Sequence, residues 1–339
     1  MGGDFGIQSV IPAAEMVRAQ DASLRFLVFG DRPAIEAAMA AYPQLKGVCE
    51  IVHCDRKVAN DDKPSAALRA GKGTSMYTAI EAVRDGKARA VVSAGNTGAL
   101  MAMAKMVLRP LEGIHRPAIA GVFPTMGSDT VVLDLGANVL VDAENLVQFA
   151  VMGAVFAKAH KQIGVPTVGL LNVGTEETKG PDHVRAAGAV LSQIDFPGHY
   201  FGFVEGNDIT TGKVDVVVSD GYAGNIALKT AEGVSKLSGH YFREALSSDP
   251  LSILGSLLAY FAIRRIKRKV DPRLYNGGVF LGLNGLCVKS HGGADALGFS
   301  SAILLAARLA RHGYIDMVSE EINHLIGQQS LLSPGAYQE

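Results

Sequence analysis

The chain has 339 residues with 32 basic and 33 acidic side chains, a formal charge of −1, so no global field gathers nucleic acid and any charge recognition is local. Its 48% hydrophobic and 6% aromatic content, with 39 glycines and no tryptophan, excludes disordered and fibrous classes and fits a glycine-rich α/β protein. Three cysteines, Cys49, Cys54 and Cys287, form no CxxC pair, which points to a reducing, cytoplasmic setting without structural disulfides.

The opening MGGDFGIQSV has no basic segment followed by an apolar one, so no secretory signal is expected. In chain order, short β-branched or aliphatic runs predict strands at Leu24 to Phe29, Ala90 to Ser93, Ile119 to Phe123, Val131 to Asp134, Thr167 to Asn172, Tyr200 to Glu205 and Val214 to Ser219. The stretches between them place apolar residues at helical spacing. That alternation predicts a Rossmann-like three-layer α/β/α fold with a largely parallel sheet, in one large unit over 1–330 with a frayed tail over 331–339. Near the end, LSILGSLLAYFAI (Leu251 to Ile263) is followed by RRIKRK (Arg264 to Lys269). Thirteen apolar residues fall short of the roughly 20 that a spanning helix needs, so residues 243–273 are expected as a protruding amphipathic helical hairpin.

The main functional signal is a repeated turn chemistry. SAGNTGAL (Ser93 to Leu100), LDLGAN (Leu133 to Asn138), LLNVGTEETKG (Leu170 to Gly180), VEGNDI (Val204 to Ile209) and SDGYAGN (Ser219 to Asn225) each close an apolar run with Gly and Asn or Asp. Glycine lets main-chain N–H groups approach a ligand, and helix N-termini at strand ends favour anions or carbonyl oxygens. GxxxxGK[ST] and a correctly placed GxGxxG are both absent, so no nicotinamide or ATP cofactor is expected. No HExxH or paired Cys/His spacing suggests a metal, and there is no GxSxG elbow for an acyl-enzyme. A direct transfer fits better. Lys179 is the strongest charged candidate, a point cation beside a glycine turn, with Glu176 and Glu177 either orienting it or opening the next helix. Among the histidines, His291 in VKSHGGAD stands out.

These motifs in order, with MGGD (Met1 to Asp4), KPSAALR (Lys63 to Arg69), DGYAGNIALKT, YNGGVFLGLNG (Tyr275 to Gly285) and VKSHGGADA, resemble the acyl-acyl-carrier-protein:phosphate acyltransferases of bacterial phospholipid synthesis along nearly the whole chain. The resemblance implies a Rossmann-like fold related to the phosphate acetyltransferases and classed as isocitrate/isopropylmalate-dehydrogenase-like. It further implies formation of acyl phosphate from inorganic phosphate and a fatty acyl thioester, a product that a membrane glycerol-3-phosphate acyltransferase consumes. It implies a homodimer that associates peripherally with the inner face of the cell membrane. Members of that family usually carry a short apolar strand ending in Asp-Ala just before MGGD, whereas Met1 here is already the Met of the motif.

Mapped onto this chemistry, one wall is expected from Gly2, Gly3, Asp4, Asn96, Thr97, Gly98 and Asn138, and the other from Asn172, Thr175, Lys179, Asn207, Asp208, Asn225 and His291. Lys179, Asn225, His291 and Asn207 are the catalytic candidates, and the rest are expected to bind substrate or phosphate. On the hairpin, Leu254, Leu257, Leu258 and Phe261 are expected to enter a bilayer surface, with Arg264, Arg265, Lys267, Arg268 and Lys269 facing anionic headgroups or an acidic acyl carrier protein. The bland alternative is a dimer contact or a helix on the core. Competing readings are an acyl-CoA-dependent phosphotransacetylase, a nicotinamide-dependent decarboxylating dehydrogenase, whose divalent metal would need an Asp cluster where DGYAGN supplies only Asp220, and a non-catalytic lipid- or carrier-binding module.

Overall fold

The computed structural model describes residues 2–332; from residue 333 on, the expected frayed tail lies outside the described residues. Ten strands occur among them: β1 (Phe26–Gly30), β2 (Cys49–His53), β3 (Ala90–Ser93), β4 (Ala118–Phe123), β5 (Thr130–Leu133), β6 (Thr167–Leu171), β7 (His199–Val204), β8 (Val216–Val218), β9 (Gly278–Leu281) and β10 (Leu286–Lys289). The helices are α1 (Ile7–Gln20), α2 (Arg32–Met39), α3 (Pro64–Ala70), α4 (Ser75–Arg84), α5 (Thr97–Leu108), α6 (Ala143–Lys161), α7 (Asp182–Leu191), α8 (Asp208–Thr211), α9 (Gly221–Ser247), α10 (Pro250–Leu258), α11 (Tyr260–Lys269), α12 (Ala296–Arg311) and α13 (Tyr314–Leu332).

Eight strands form one sheet in the order β3-β10-β9-β4-β5-β8-β6-β7, and β1 and β2 pair separately. The expectation of a largely parallel sheet is corrected here. β9 runs antiparallel to both β10 and β4, and β4 runs antiparallel to β5, so the sheet is mixed. Two hairpins cause this, β4–β5 and β9–β10: in the second, Gly282, at φ +82°, opens a four-residue turn that glycine adopts without steric cost, and β9 is thereby inserted against the sense of its neighbours. Strand direction then reverses across the sheet at the antiparallel β4–β5 pair. β3, β10 and β4 point one way, and β5, β8, β6 and β7 the other.

The core follows from composition. α6 has fourteen of its 19 residues buried, as expected of a helix that is apolar on all sides, and it packs against β5, β6, β8, α7, α12 and α13. Across the other end, the facing edges of β1 and β3 border a cavity of about 900 Å³ floored by Ile11, Ala14, Phe299 and Ile303. Helices that leave the strand ends start on short polar caps. Asn96 caps α5, Asp142 caps α6, Asp220 caps α9 and Asp295 caps α12, each side chain accepting a first-turn N–H. These caps fix where each glycine turn stops and its helix begins.

α9 runs for 27 residues, about 40 Å at 1.5 Å per residue, and only Gly221 and Gly224 on it are buried. The exposed stretch therefore starts well before residue 243. α10 folds back against α9, and α11 follows after a single residue. Neither α10 nor α11 has a buried residue; Leu254, Leu257, Leu258 and Phe261 are 55%, 65%, 82% and 77% exposed. Among the described residues no helix is long and apolar enough to cross a membrane.

Candidate functional site

The predicted site residues fall into three groups. The first lies where β3 and β10, adjacent and parallel, end. The turn Gly2–Asp4 covers these ends, with the Asp4 N–H donating to the Gly292 carbonyl at 2.8 Å. Gly3 has φ +74°, and a Cβ there would lie 2.8 Å from the Ala94 Cβ and 3.0 Å from the Gly292 oxygen, so only glycine lets the three segments meet. The Asp4 carboxylate accepts from the Asn60 amide at 3.2 Å. The His291 N–H donates to Asn276 Oδ1, and Nδ1 of its ring accepts from the Gly293 N–H at 3.1 Å, which leaves Nε2 as the ring's donor.

Asn96 is committed to structure. Its Oδ1 caps α5 through the Ala99 N–H, and its Nδ2 donates to the carbonyls of Asn60 and Asp62, each at 2.9 Å. What α5 offers a ligand is therefore the first-turn N–H groups of Thr97 and Gly98, which have no partner within a helix.

The second group is at the ends of β5 and β8. Asp134, fully buried, is its hub. Oδ1 accepts from the N–H groups of Ile119, Ala137 and Gly136 at 2.9, 3.1 and 3.3 Å, and Oδ2 accepts from the Asn138 N–H at 2.7 Å and its Nδ2 at 2.9 Å. Burial raises the Asp134 pKa, and these donors only partly offset it. The start of α9 rests on this turn: a Cβ on Gly224 would lie 2.0 Å from the Asp134 carbonyl oxygen and one on Gly221 2.6 Å from that of Asn138. This close seat aims Asn225, whose Nδ2 donates to the Leu135 carbonyl at 3.1 Å.

The third group closes β6 and β7. Asn172 donates through Nδ2 to the Lys179 carbonyl at 3.0 Å, while its buried Oδ1 has no partner among the described residues. Gly180, at φ +90°, is required there, because a Cβ would fall 1.8 Å from that oxygen. The Lys179 ammonium is exposed and pairs with Glu176 at 2.7 Å, which raises its pKa. Thr175 is exposed in the same turn. Asn207 precedes α8 without capping it, and Asp208 accepts from the Glu205 N–H at 3.0 Å and from Lys213 at 3.1 Å. Burial pushes the Asp208 carboxyl up, but these two donors prevail and its pKa is lowered.

The expected two walls are therefore drawn differently by the structure. His291 belongs with Gly3, Asp4 and Asn96, and Asn138 belongs with Asn225. Because strand direction reverses, the first group leaves one edge of the sheet and the other two leave the opposite edge. Two further residues were not singled out from sequence. Asp134 lay in plain view inside LDLGAN, where an acid at a strand end followed by Gly-Ala-Asn signals a carboxylate that collects turn N–H groups. Lys289 is half-buried at the end of β10 and lines a cavity of about 300 Å³; its one signal was a lysine ending an otherwise apolar strand. Among the described residues no group of three or more His, Cys, Asp or Glu side chains could hold a metal.

A family model described as "Fatty acid synthesis protein" matches residues 1–317. The chain is 51% identical over 325 residues to a phosphate acyltransferase of Paramagnetospirillum magneticum, covering 96% of this chain and 93% of that protein. A phosphate acyltransferase of Caulobacter vibrioides is 48% identical over 335 residues, covering 99% and 93%. Among solved structures, EutD phosphotransacetylase from Staphylococcus aureus superposes with a TM-score of 0.55 at 15% identity, covering 88% of this chain and 98% of that one. A phosphotransacetylase from Streptococcus pyogenes gives 0.52 at 16% identity, covering 90% and 99%. At such identities the likeness concerns the fold alone. It completes the correction begun with the sheet: the architecture is phosphotransacetylase-like, in place of the expected isocitrate/isopropylmalate-dehydrogenase-like Rossmann fold.

Proposed function

Since this chain belongs to the phosphate acyltransferase family, we propose that it makes acyl phosphate by direct attack of inorganic phosphate on the thioester of a fatty acyl-acyl carrier protein. A phosphate oxygen bonds to the carbonyl carbon, the tetrahedral oxyanion collapses, and the carbon–sulfur bond breaks to release the carrier thiolate, which takes a proton. Such a step needs a positioned nucleophile and donors aimed at the oxyanion. The observation that carries the reading is the set of glycine turns at the strand ends, supporting Asn225, Lys179, Asn207 and His291 as catalytic groups. Gly2, Gly3, Asp4, Thr97, Gly98, Asn172, Thr175 and Asp208 are proposed around substrate or phosphate. Asn96 and Asn138, engaged in caps and turn bonds, act as positioning residues.

The proposed assembly is a homodimer. Supporting it, one reaction would draw on turns that leave opposite edges of a single sheet, and a second copy can bring one protomer's Asn225 turn to its partner's Asp4–His291 turn. The α10–α11 arm is proposed to rest on the cytoplasmic face of an anionic membrane or to dock the acidic carrier protein, close to the membrane glycerol-3-phosphate acyltransferase that would take the product.

The test is formation of hydroxylamine-trappable acyl phosphate from palmitoyl-acyl carrier protein and inorganic phosphate, without added metal or nucleotide, with palmitoyl-CoA in parallel. Turnover with the carrier-bound donor is expected. Turnover with CoA alone would reassign the donor, and none with either would overturn the reading. Loss of one oxyanion donor in Asn225→Ala should lower kcat by about 100- to 1000-fold.

A further inference from the structure

The cavity at the ends of β3 and β10 has walls of unusual composition. Asn60, Gly95, Thr97, Gly98 and Gly292 are neutral, and Lys289 is the charged residue among the side chains that line it. The Lys289 ammonium donates to the main-chain carbonyls of Ser290 and, at 3.5 Å, of Ala94. Among the described residues no carboxylate lies within 4 Å of it, and the Asp4 carboxylate acts on it from farther away. A half-buried cation whose only hydrogen-bond partners are carbonyls, with the Asp4 carboxylate acting on it from beyond contact range, is incompletely compensated, and an anion at contact in the cavity adds to its stabilisation. α5 adds to this, since its first turn opens on the same space and its macrodipole favours negative charge there. Gly98 fits that turn closely, since a Cβ there would lie 2.6 Å from the Pro64 ring.

We propose that this cavity is an anion site for inorganic phosphate and that Lys289 is the residue that holds it. The proposal rests on the reading of the chain as a phosphate-using acyltransferase, and it places the nucleophile at Lys289 instead of at the exposed, Glu176-paired Lys179. Burial lowers the Lys289 pKa to about 8, with Asp4 pulling the other way, so the ammonium is still largely protonated at neutral pH and has lost much of its hydration. A cation in that state gains most from a phosphate oxygen at contact.

The experiment titrates inorganic phosphate into the full chain by calorimetry at fixed ionic strength, with no acyl donor present. Lys289→Met should weaken phosphate at least 10-fold, Lys289→Arg should hold it within about 3-fold, and Lys46→Ala, at an exposed lysine outside every proposed site, should leave it unchanged. Thr97→Asp is the second variant. It sets a carboxylate at the first helical position, where acids stabilise a helix, so the fold is kept while the anion is repelled at least 10-fold. Unchanged affinity in both Lys289→Met and Thr97→Asp, or no phosphate binding to the parent chain, overturns the proposal. A parallel arm uses glycerol 3-phosphate; tighter binding of this monoester, lost in Lys289→Met, would overturn free phosphate as the occupant. Failure of the reaction and failure of the site are separable. Phosphate held through Lys289 without turnover sinks the reaction alone, and turnover with an unchanged phosphate KM in Lys289→Met sinks the site alone.

Discussion

α6 and the α10–α11 arm draw on similar apolar residues and end in basic ones, yet they meet opposite surroundings. In α6, Phe149 and Phe156 are fully buried, and Phe156 meets the Tyr314 ring edge-on at 6.1 Å. Even its charged end is clasped: Lys161 pairs with Asp215 at 2.5 Å and His160 with Asp129 at 2.9 Å. The arm leaves Leu251 and Leu258 79% and 82% exposed, followed by Arg264, Arg265, Lys267, Arg268 and Lys269 on an exposed helix. Isolated exposed leucines need no explanation, but a contiguous apolar patch with a basic border marks a surface that meets something. What separates the two regions is tertiary contact, and what it teaches is that the arm's apolar residues contribute little to folding.

The sharpest way to break that contrast is mutational. Phe156→Ala should cost about 3–5 kcal/mol in urea unfolding, whereas Leu257→Ala on the arm should stay within about 0.5 kcal/mol. Equal losses would place the arm in the cooperative fold. Next in size is binding. Replacing Leu254, Leu257 and Leu258 by Ser should weaken affinity for vesicles of anionic phospholipid at least 10-fold, and raised salt should weaken the parent chain as well, since surface charge is screened. Turnover of soluble substrates should survive. Unaltered vesicle binding would leave the arm as a protein contact.

The same contrast shows what could be read from the sequence. β1 and β3 to β8 fall within a residue or two of their apolar runs, because a strand that packs in a core must be apolar wherever it sits. β2, β9 and β10 were not expected as strands. CEIVH is half polar, and GVFL and LCVK are four-residue pieces set among glycines that read equally well as loop. Their loss also hid the sheet's reversal, since strand direction is decided by pairing partners and not by composition. The glycine turns were legible for a local reason: their Asx residues and glycines serve caps and positive φ within the turn itself. Which turns share an edge was not, so His291 and Asn138 were each assigned to the wrong neighbours. Lys289 escaped because its position depends on β10 lying beside β3.

The smallest effect concerns the clasp at the end of α6. Burial pushes the Asp215 carboxyl up, but the Lys161 ammonium and the Thr167 N–H and hydroxyl outweigh it, so its pKa in the folded chain is lowered. A carboxylate whose folded pKa lies below its unfolded value, about 3.9, adds stability that is fully present above the unfolded value and is lost as pH falls through the folded one. Unfolding of the parent chain followed by circular dichroism between pH 6 and pH 3 should therefore show stability falling below about pH 4. Asp215→Asn keeps an acceptor for Thr167 and removes the charge; its stability should be lower at pH 6 and should lose part of that slope. The side chain is partly open to solvent, so screening limits the gain to the modest range of surface pairs. An identical pH slope in parent and variant would show that Lys161 is held by the carbonyl of Asp129 and the hydroxyl of Ser128, and that the Asp215 charge adds nothing to the anchoring of the buried helix.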